Sequence, residues 1–251
     1  MALEAKQFLL SAQLLREKIS SFSTYPFSLP AIRQLKKIDF HPHVTFVIGE
    51  NGTGKSTLLE AIAVAWGFNA EGGSKNFRFS TRPSHSALHE YIRLAKTFRR
   101  PKDGFFLRAE SFFNVATDIE RMDAEPAFSP PIIDSFGGHS LHEQSHGESF
   151  LALLTKRFRG EGLYILDEPE AALSPTRQMA ALRQIHELVL KGSQFIIATH
   201  SPILMAYPKS KILLIDEEQI RSAAYIETRH FIVARNFLNN HEKMLSELLS
   251  K

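Results

Sequence analysis

Cysteine is missing from all 251 residues, which excludes a disulfide framework, a thiolate zinc centre and a cysteine nucleophile together. Long apolar runs are missing as well: none approaches the roughly 20 residues that a membrane-crossing helix needs. The stretch from Met1 to Lys18 mixes charges among its apolar residues, unlike a signal peptide. The expectation is a cytoplasmic chain that does not insert into a membrane. Excess charge of one sign is slight, +3 in total, a balance that allows an acidic partner without requiring one. Internal repeats and low-complexity tracts are also lacking. With 43% hydrophobic residues the chain can bury an ordinary core. Its length suits a single domain over 1–251 with a subdomain inserted into it.

What is present is an alternation of strand and helix signals. Val44 to Ile48 is a β-branched and aromatic run ending in glycine, and Leu58 to Trp66 carries helix formers at apolar spacing. Before it, Phe8 to Leu15 and Tyr25 to Phe40 hold strand-like pieces interrupted by Pro26 and Pro30, which reads as an antiparallel flap. Leu88, Tyr91, Ile92, Ala95 and Phe98 fall at helical spacing with Arg93, Lys96 and Arg99 between them, predicting an amphipathic helix with a basic outer face. A strand follows at Phe105 to Leu107. The region 112–147 contains Pro126, Pro130, Pro131, Gly137 and Gly138 and reads as a small inserted helical lid. Beyond it a helix is expected from about Gly147 to Phe158, a strand at Leu163 to Leu166 and a helix from Pro175 to Lys191. Ser174 suits the cap of that last helix. Strands at Phe195 to Ala198 and Lys211 to Ile215 and a final helix at His241 to Leu249 complete the chain. The fold class is therefore α/β with a mostly parallel sheet.

Two constellations carry chemistry. Gly49, Glu50, Asn51, Gly52, Thr53, Gly54, Lys55, Ser56 and Thr57 match the phosphate-loop pattern in full, between an expected strand and an expected helix. In such a loop backbone amides and a helix N-terminus face the phosphates, Lys55 reaches the β- and γ-phosphates, and the Ser56 hydroxyl binds Mg²⁺. The apolar strand Leu163 to Leu166 ends in Asp167 and Glu168, an arrangement in which the aspartate holds Mg²⁺ through water and the glutamate acts as general base.

Taken in order, GENGTGKST, SHGE, LYILDEPEAAL and IIATHSP resemble the Walker A, signature, Walker B with D-loop, and switch-histidine segments of ABC-class P-loop ATPases. The SHGE form is more similar to the soluble branch of structural-maintenance-of-chromosomes and RecF proteins than to transporter subunits. The resemblance implies a P-loop NTPase core and a composite ATP site: the loop of one subunit holds the nucleotide while Ser145 and Gly147 of a second subunit close over the γ-phosphate. It implies an ATP-dependent homodimer, Mg²⁺ as cofactor, and His200 as the switch histidine. The family's glutamine loop has no clear counterpart; Glu110 is the nearest candidate for that metal or water contact, and an ion pair to Arg108 or another base explains it equally well. No adenine-stacking residue is assigned among Tyr25, Phe27 and Phe40.

The expected reaction is hydrolysis of ATP to ADP and phosphate. Its use is a separate question. One reading is a soluble motor or switch in DNA maintenance or defence, acting on an unknown protein partner or, through the basic stretch from Arg78 to Lys102, on nucleic acid; a solvated helix face explains the same charges. The alternative is the ATP-binding subunit of a membrane ABC transporter. A small-molecule kinase would account for neither the Ser145 segment nor the Glu168 and His200 pair.

Overall fold

The computed structural model describes residues 7–73, 86–108 and 146–250, together with isolated positions between 117 and 134. The region 112–147, expected to form the inserted lid, therefore lies almost wholly outside the described residues.

A six-stranded sheet forms the centre. Its strands are β3 (Val44–Gly49), β5 (Asp103–Arg108), β6 (Gly162–Asp167), β7 (Gln194–Ala198), β8 (Lys211–Ile215) and β9 (Ile220–Ala223). They lie in the order β5-β6-β7-β3-β8-β9, parallel throughout except for the antiparallel edge pair β8 and β9. All residues of β3, β6 and β7 are buried, as expected of inner strands covered on both faces.

Helices supply the cover. On one face, α3 (His146–Ala152) runs on as a π-helical turn over Leu153–Arg157, and α4 (Pro175–Leu190) lies beside it. Together they bury Phe150, Leu153, Ile185 and Leu188 against Phe105, Tyr164 and Phe195. The Ser174 side chain caps α4 by accepting from the Arg177 amide, as the Ser-Pro start foretold. The other face carries α2 (Lys55–Trp66), whose Leu58, Leu59 and Ile62 are buried between the main sheet and a small antiparallel one.

That small sheet has the order β2-β1-β4, with β1 (Leu9–Leu14), β2 (Lys37–Asp39) and β4 (Ile92–Lys96). Short α1 (Pro30–Gln34) lies between its first two strands in sequence. The flap is thus antiparallel as expected, but its third strand comes from the stretch read as an amphipathic helix. Only Ala87–Tyr91 is helical there, as a 3-10 turn. Two periods coexist in this window: Leu88, Tyr91 and Ile92 suit a helix, whereas Ile92 and Leu94 alternate with Arg93 and Ala95. Pairing decides between them, because β1 presents an edge that β4 satisfies from Leu9↔Lys96 to Leu14↔Ile92. Unpaired edge groups are costly when buried, and local spacing is a weaker force.

Gln194 ties the two sheets together. Its buried amide oxygen accepts from the Phe8 and Leu9 amides, and its nitrogen donates to the Leu9 and His41 carbonyls. At the C-terminus, α5 (Pro202–Met205) is followed after β9 by α6 (Arg229–Leu249). The final expected helix corresponds to the part of α6 beyond Asn240, where non-helical backbone kinks the axis.

Candidate active site

The parallel register brings three strand ends to one edge. Ala198 lies opposite both Asp167 and Val47, so Gly49, Asp167 and the residues after Ala198 meet at the carboxyl end of the sheet. Open α/β sheets bind ligands at this edge.

From β3 the chain turns through Glu50 to Gly54 into α2. Gly54, the residue before the helix, has φ of 92°, a left-handed value that a side chain makes costly. Within the turn, Thr53 donates through its hydroxyl to the Glu50 carbonyl at 2.8 Å, and its own carbonyl accepts from the Ala31 amide. Asn51 and Gly52 stay exposed at the tip. Lys55 is not the surface charge that a loop position suggests: it is only 5% exposed and donates to the Gly49 and Glu50 carbonyls at 2.9 and 3.0 Å. It opens α2, and that helix is covered on both sides. Burial pulls its ammonium below the ordinary lysine range, partly offset by the Glu168 and Asp167 carboxylates.

Ser56 lies one residue further, and its hydroxyl donates to Asp167 Oδ1 at 3.1 Å. The two residues that sequence spacing assigned to Mg²⁺ are thus side by side although 111 positions apart. Hard oxygen donors from a helix start and a strand end suit Mg²⁺, which keeps waters and shares substrate phosphates. A metal of that kind needs no full protein cage, and no group of three or more His, Cys, Asp or Glu positioned for a metal occurs among the described residues.

Glu168 leaves the strand with a left-handed φ of 50°, its amide bonded to the Ala198 carbonyl. Its Oε1 lies 3.5 Å from His200 Nε2. Burial holds the His200 imidazole below its ordinary range, with Lys55 adding to the effect. Glu170, which sequence reasoning left without a role, accepts from the backbone amide of His200 and is itself pushed up by burial. A second carboxylate two positions after Glu168 was the available signal. Further along, Ser201 caps α5 and donates to Gln178.

Gly147 lies in the first turn of α3. A Cβ there would meet the Ala172 carbonyl at 2.7 Å, so α3 approaches the segment after Glu168 as closely as backbone allows. Glu148 pairs with Arg177 at 3.1 Å across the same contact. Ser145 and Glu110 lie outside the described residues. The nearby Arg108 guanidinium pairs with Glu60 at 2.6 Å.

No basic helical face forms in the described part of the stretch from Arg78 to Lys102. Arg93 and Lys96 lie on β4, Lys96 over the Trp66 ring and Arg99 over Phe8; Arg99 and Lys102 both pair with Glu161. Arg78 and Arg82 lie outside the described residues. Of the three rings considered for adenine, Phe40 is buried and Phe27 packs edge-on against Tyr91. Tyr25 is exposed.

The site has one wall that no motif announced. A cleft of about 480 Å³ opens between the loop at Gly49 to Thr53 and the β8 and β9 side, lined also by Asp216, Arg221, Arg229 and His230. Arg229 pairs with Glu50 at 3.3 Å, and His230 touches His200. Both belong to the first turn of α6.

Comparison with known proteins follows this geometry. Residues 18–121 match a family model described as an AAA domain, and residues 140–206 match one described as an AAA domain, putative AbiEii toxin, type IV TA system. The chain is 24% identical over 235 residues to the hemin import ATP-binding protein HmuV of Rhodopseudomonas palustris, covering 84% of this chain and 85% of that protein. It is 26% identical over 172 residues to the ABC transporter G family member STR2 of Medicago truncatula, of which it spans 24%. Among solved structures, MJ1267, an ATP-binding cassette of an ABC transporter, superposes with a TM-score of 0.54 at 16% identity, over 95% of this chain and 98% of that one. The fold is that of an α/β P-loop NTPase. An SMC head domain from Thermotoga maritima is similar at a TM-score of 0.42, too low to carry the finer likeness to that branch. The curated relatives named here are, by name, a hemin import ATP-binding protein and an ABC transporter member.

Proposed function

We infer that this chain, an ABC-class P-loop ATPase domain, hydrolyses ATP at a site that a second copy of the chain completes. The observation that carries the reading is the meeting of Lys55, Ser56, Asp167, Glu168 and His200 at one sheet edge. Lys55 is already desolvated, so its charge acts on the β- and γ-phosphates with little water to screen it. The bound triphosphate takes over the place of the two backbone carbonyls it now contacts. Glu168, beside His200, orients the attacking water and accepts its proton. His200 donates to the γ-phosphate. Ser56 and Asp167 would hold Mg²⁺, which when bound neutralises charge on the phosphate oxygens.

The composite arrangement rests on the order of the motifs: the first turn of α3, with Gly147 and Ser145, would close on the nucleotide of the partner copy. In the Glu168→Gln variant ATP binding persists, turnover is lost, and Mg-ATP holds two copies together. Light scattering with and without Mg-ATP measures this. A monomeric mass at saturating nucleotide overturns the composite site.

For the work that hydrolysis drives, we favour coupling to a membrane component, as in the ATP-binding subunit of a transporter. Support comes from HmuV and related import proteins, matched over most of this chain. A second reading, a soluble motor or switch in DNA maintenance or defence, is favoured by SHGE at the signature position and by the type IV TA description of the model matching residues 140–206. The Glu168→Gln trap separates the two: its nucleotide-dependent partner is recovered either with membranes or from the soluble fraction.

A further inference from the structure

His200 Nδ1 and His230 Nε2 stand 3.1 Å apart, with the two rings inclined at 57°. The contact joins the strand end of β7 to the first turn of α6 and has no counterpart in the motifs that the sequence displays. Its place is well fixed from both sides. The His200 backbone amide is held by Glu170. On the other side, Thr228 caps α6, its hydroxyl accepting from the Phe231 amide and donating to the Tyr225 carbonyl, while Arg229 pairs with Glu50 of the phosphate loop.

Between two neutral imidazoles, only one of the facing nitrogens carries the hydrogen. Glu168 biases the choice, and the surroundings of His230 bias it too. Its carboxylate oxygen lies 3.5 Å from the other nitrogen of His200, Nε2. An unprotonated Nε2 would turn a lone pair toward that negative charge, whereas a protonated one turns a donor toward it. With the hydrogen on Nε2, Nδ1 is the acceptor, so His230 must donate through its own Nε2–H. His230 Nδ1 and His200 Nε2 are both buried without a hydrogen-bond partner among the described residues, but only His200 Nε2 has a carboxylate beside it, so His230 Nδ1 is better left as a lone pair, with the hydrogen of His230 on Nε2. Burial keeps both rings below the ordinary imidazole range, in keeping with a neutral pair.

We propose that His230 is a positioning residue that locks His200 in the tautomer whose Nε2–H faces Glu168 and the γ-phosphate. The consequence for turnover rests on the hydrolytic reading given above; the tautomer itself does not. Locking matters because the free imidazole divides its population between two forms, of which one presents no donor to the phosphate, and because the ring must also keep its orientation.

The test compares His230→Phe, which keeps a ring without the donor, with His230→Gln, whose amide nitrogen can occupy the place of Nε2. Imidazole ¹⁵N spectra report the tautomer directly, with His200→Gln identifying the His200 signals. Wild type is expected to show Nε2–H on His200, His230→Phe a mixture of the two tautomers, and His230→Gln a return to the wild-type form. In parallel, kcat falls roughly tenfold in His230→Phe, the scale of one well-placed hydrogen bond, a larger change than that in ATP affinity, and His230→Gln recovers most of the loss. An Nδ1–H form in wild type, or a His230→Phe variant that keeps the wild-type tautomer or an undiminished kcat, overturns the proposal. A wild-type protein without ATPase activity counts against the hydrolytic reading instead, and the spectra still decide the tautomer.

Discussion

Four ionisable groups at the site, Lys55, Glu170, His200 and His230, have been moved off their ordinary protonation behaviour chiefly by burial, and the direction follows from the charge type. Lys55, His200 and His230 are pulled down and Glu170 is pushed up, since desolvation disfavours whichever form is charged. For the two histidines this has a sign that can be tested. With folded-state values below the unfolded ones, the unfolded chain binds more protons over the interval between them. Their contribution to stability is therefore complete above about pH 6.5 and is lost as pH falls through that interval. Glu170 acts in the opposite sense at lower pH, so wild type is best compared with His230→Phe between neutral and mildly acidic pH. The melting temperature of wild type is expected to fall more steeply on acidification. Equal slopes would show that His230 adds nothing to the pH dependence of stability.

Elements place these groups, and two of the contacts are made through backbone. The first turn of α3 rests on the segment after Glu168 at Gly147, where a Cβ would come within 2.7 Å of both the Ala172 carbonyl and Arg177 Nη1. The arginine end can swing aside; the carbonyl cannot move without taking its segment along. Gly147→Ala is expected to lower stability by about 1–3 kcal/mol, the usual effect of overpacking, read as a shift in the urea midpoint. ATP turnover should drop with it, because the displaced segment begins at Glu168. A variant with unchanged midpoint and unchanged turnover would show that α3 has room to spare. The β4 stretch makes the complementary point. Its residues satisfy helical spacing, yet the edge of β1 makes it a strand, and of the charges expected to form a basic face Lys96 goes instead to Trp66 and Arg99 to Phe8 and Glu161.

At the scale of the whole molecule, ligand binding and folding are linked, because an unfolded chain has no site. Mg-ATP at about 100 times its dissociation constant should stabilise the protein by roughly 2.7 kcal/mol, seen as a rise in melting temperature. Lys55→Ala should abolish the rise while leaving a folded protein, since the substitution removes a buried charge whose hydrogen bonds go to two backbone carbonyls. A full nucleotide-induced rise in that variant would deny Lys55 its place on the phosphates. No helix among the described residues is long and apolar enough to cross a membrane.

By itself the sequence determined the phosphate loop, the two carboxylates closing β6, the alternation that makes a parallel sheet and the Ser174 cap of α4. All of these are local: a glycine turn, an apolar strand and a capped helix start are each specified by residues within a few positions of one another. Only the tertiary structure decided that β4 is a strand, that Lys55 is buried, that Gln194 joins the two sheets, and that α6 brings Arg229 and His230 to the candidate site. Those facts depend on partners far away in the chain: Gln194 meets Leu9 across 185 positions and Arg229 meets Glu50 across 179. No local periodicity encodes which distant edge or side chain will be there, and burial, pairing and the protonation that follows from them exist only once those surfaces have met.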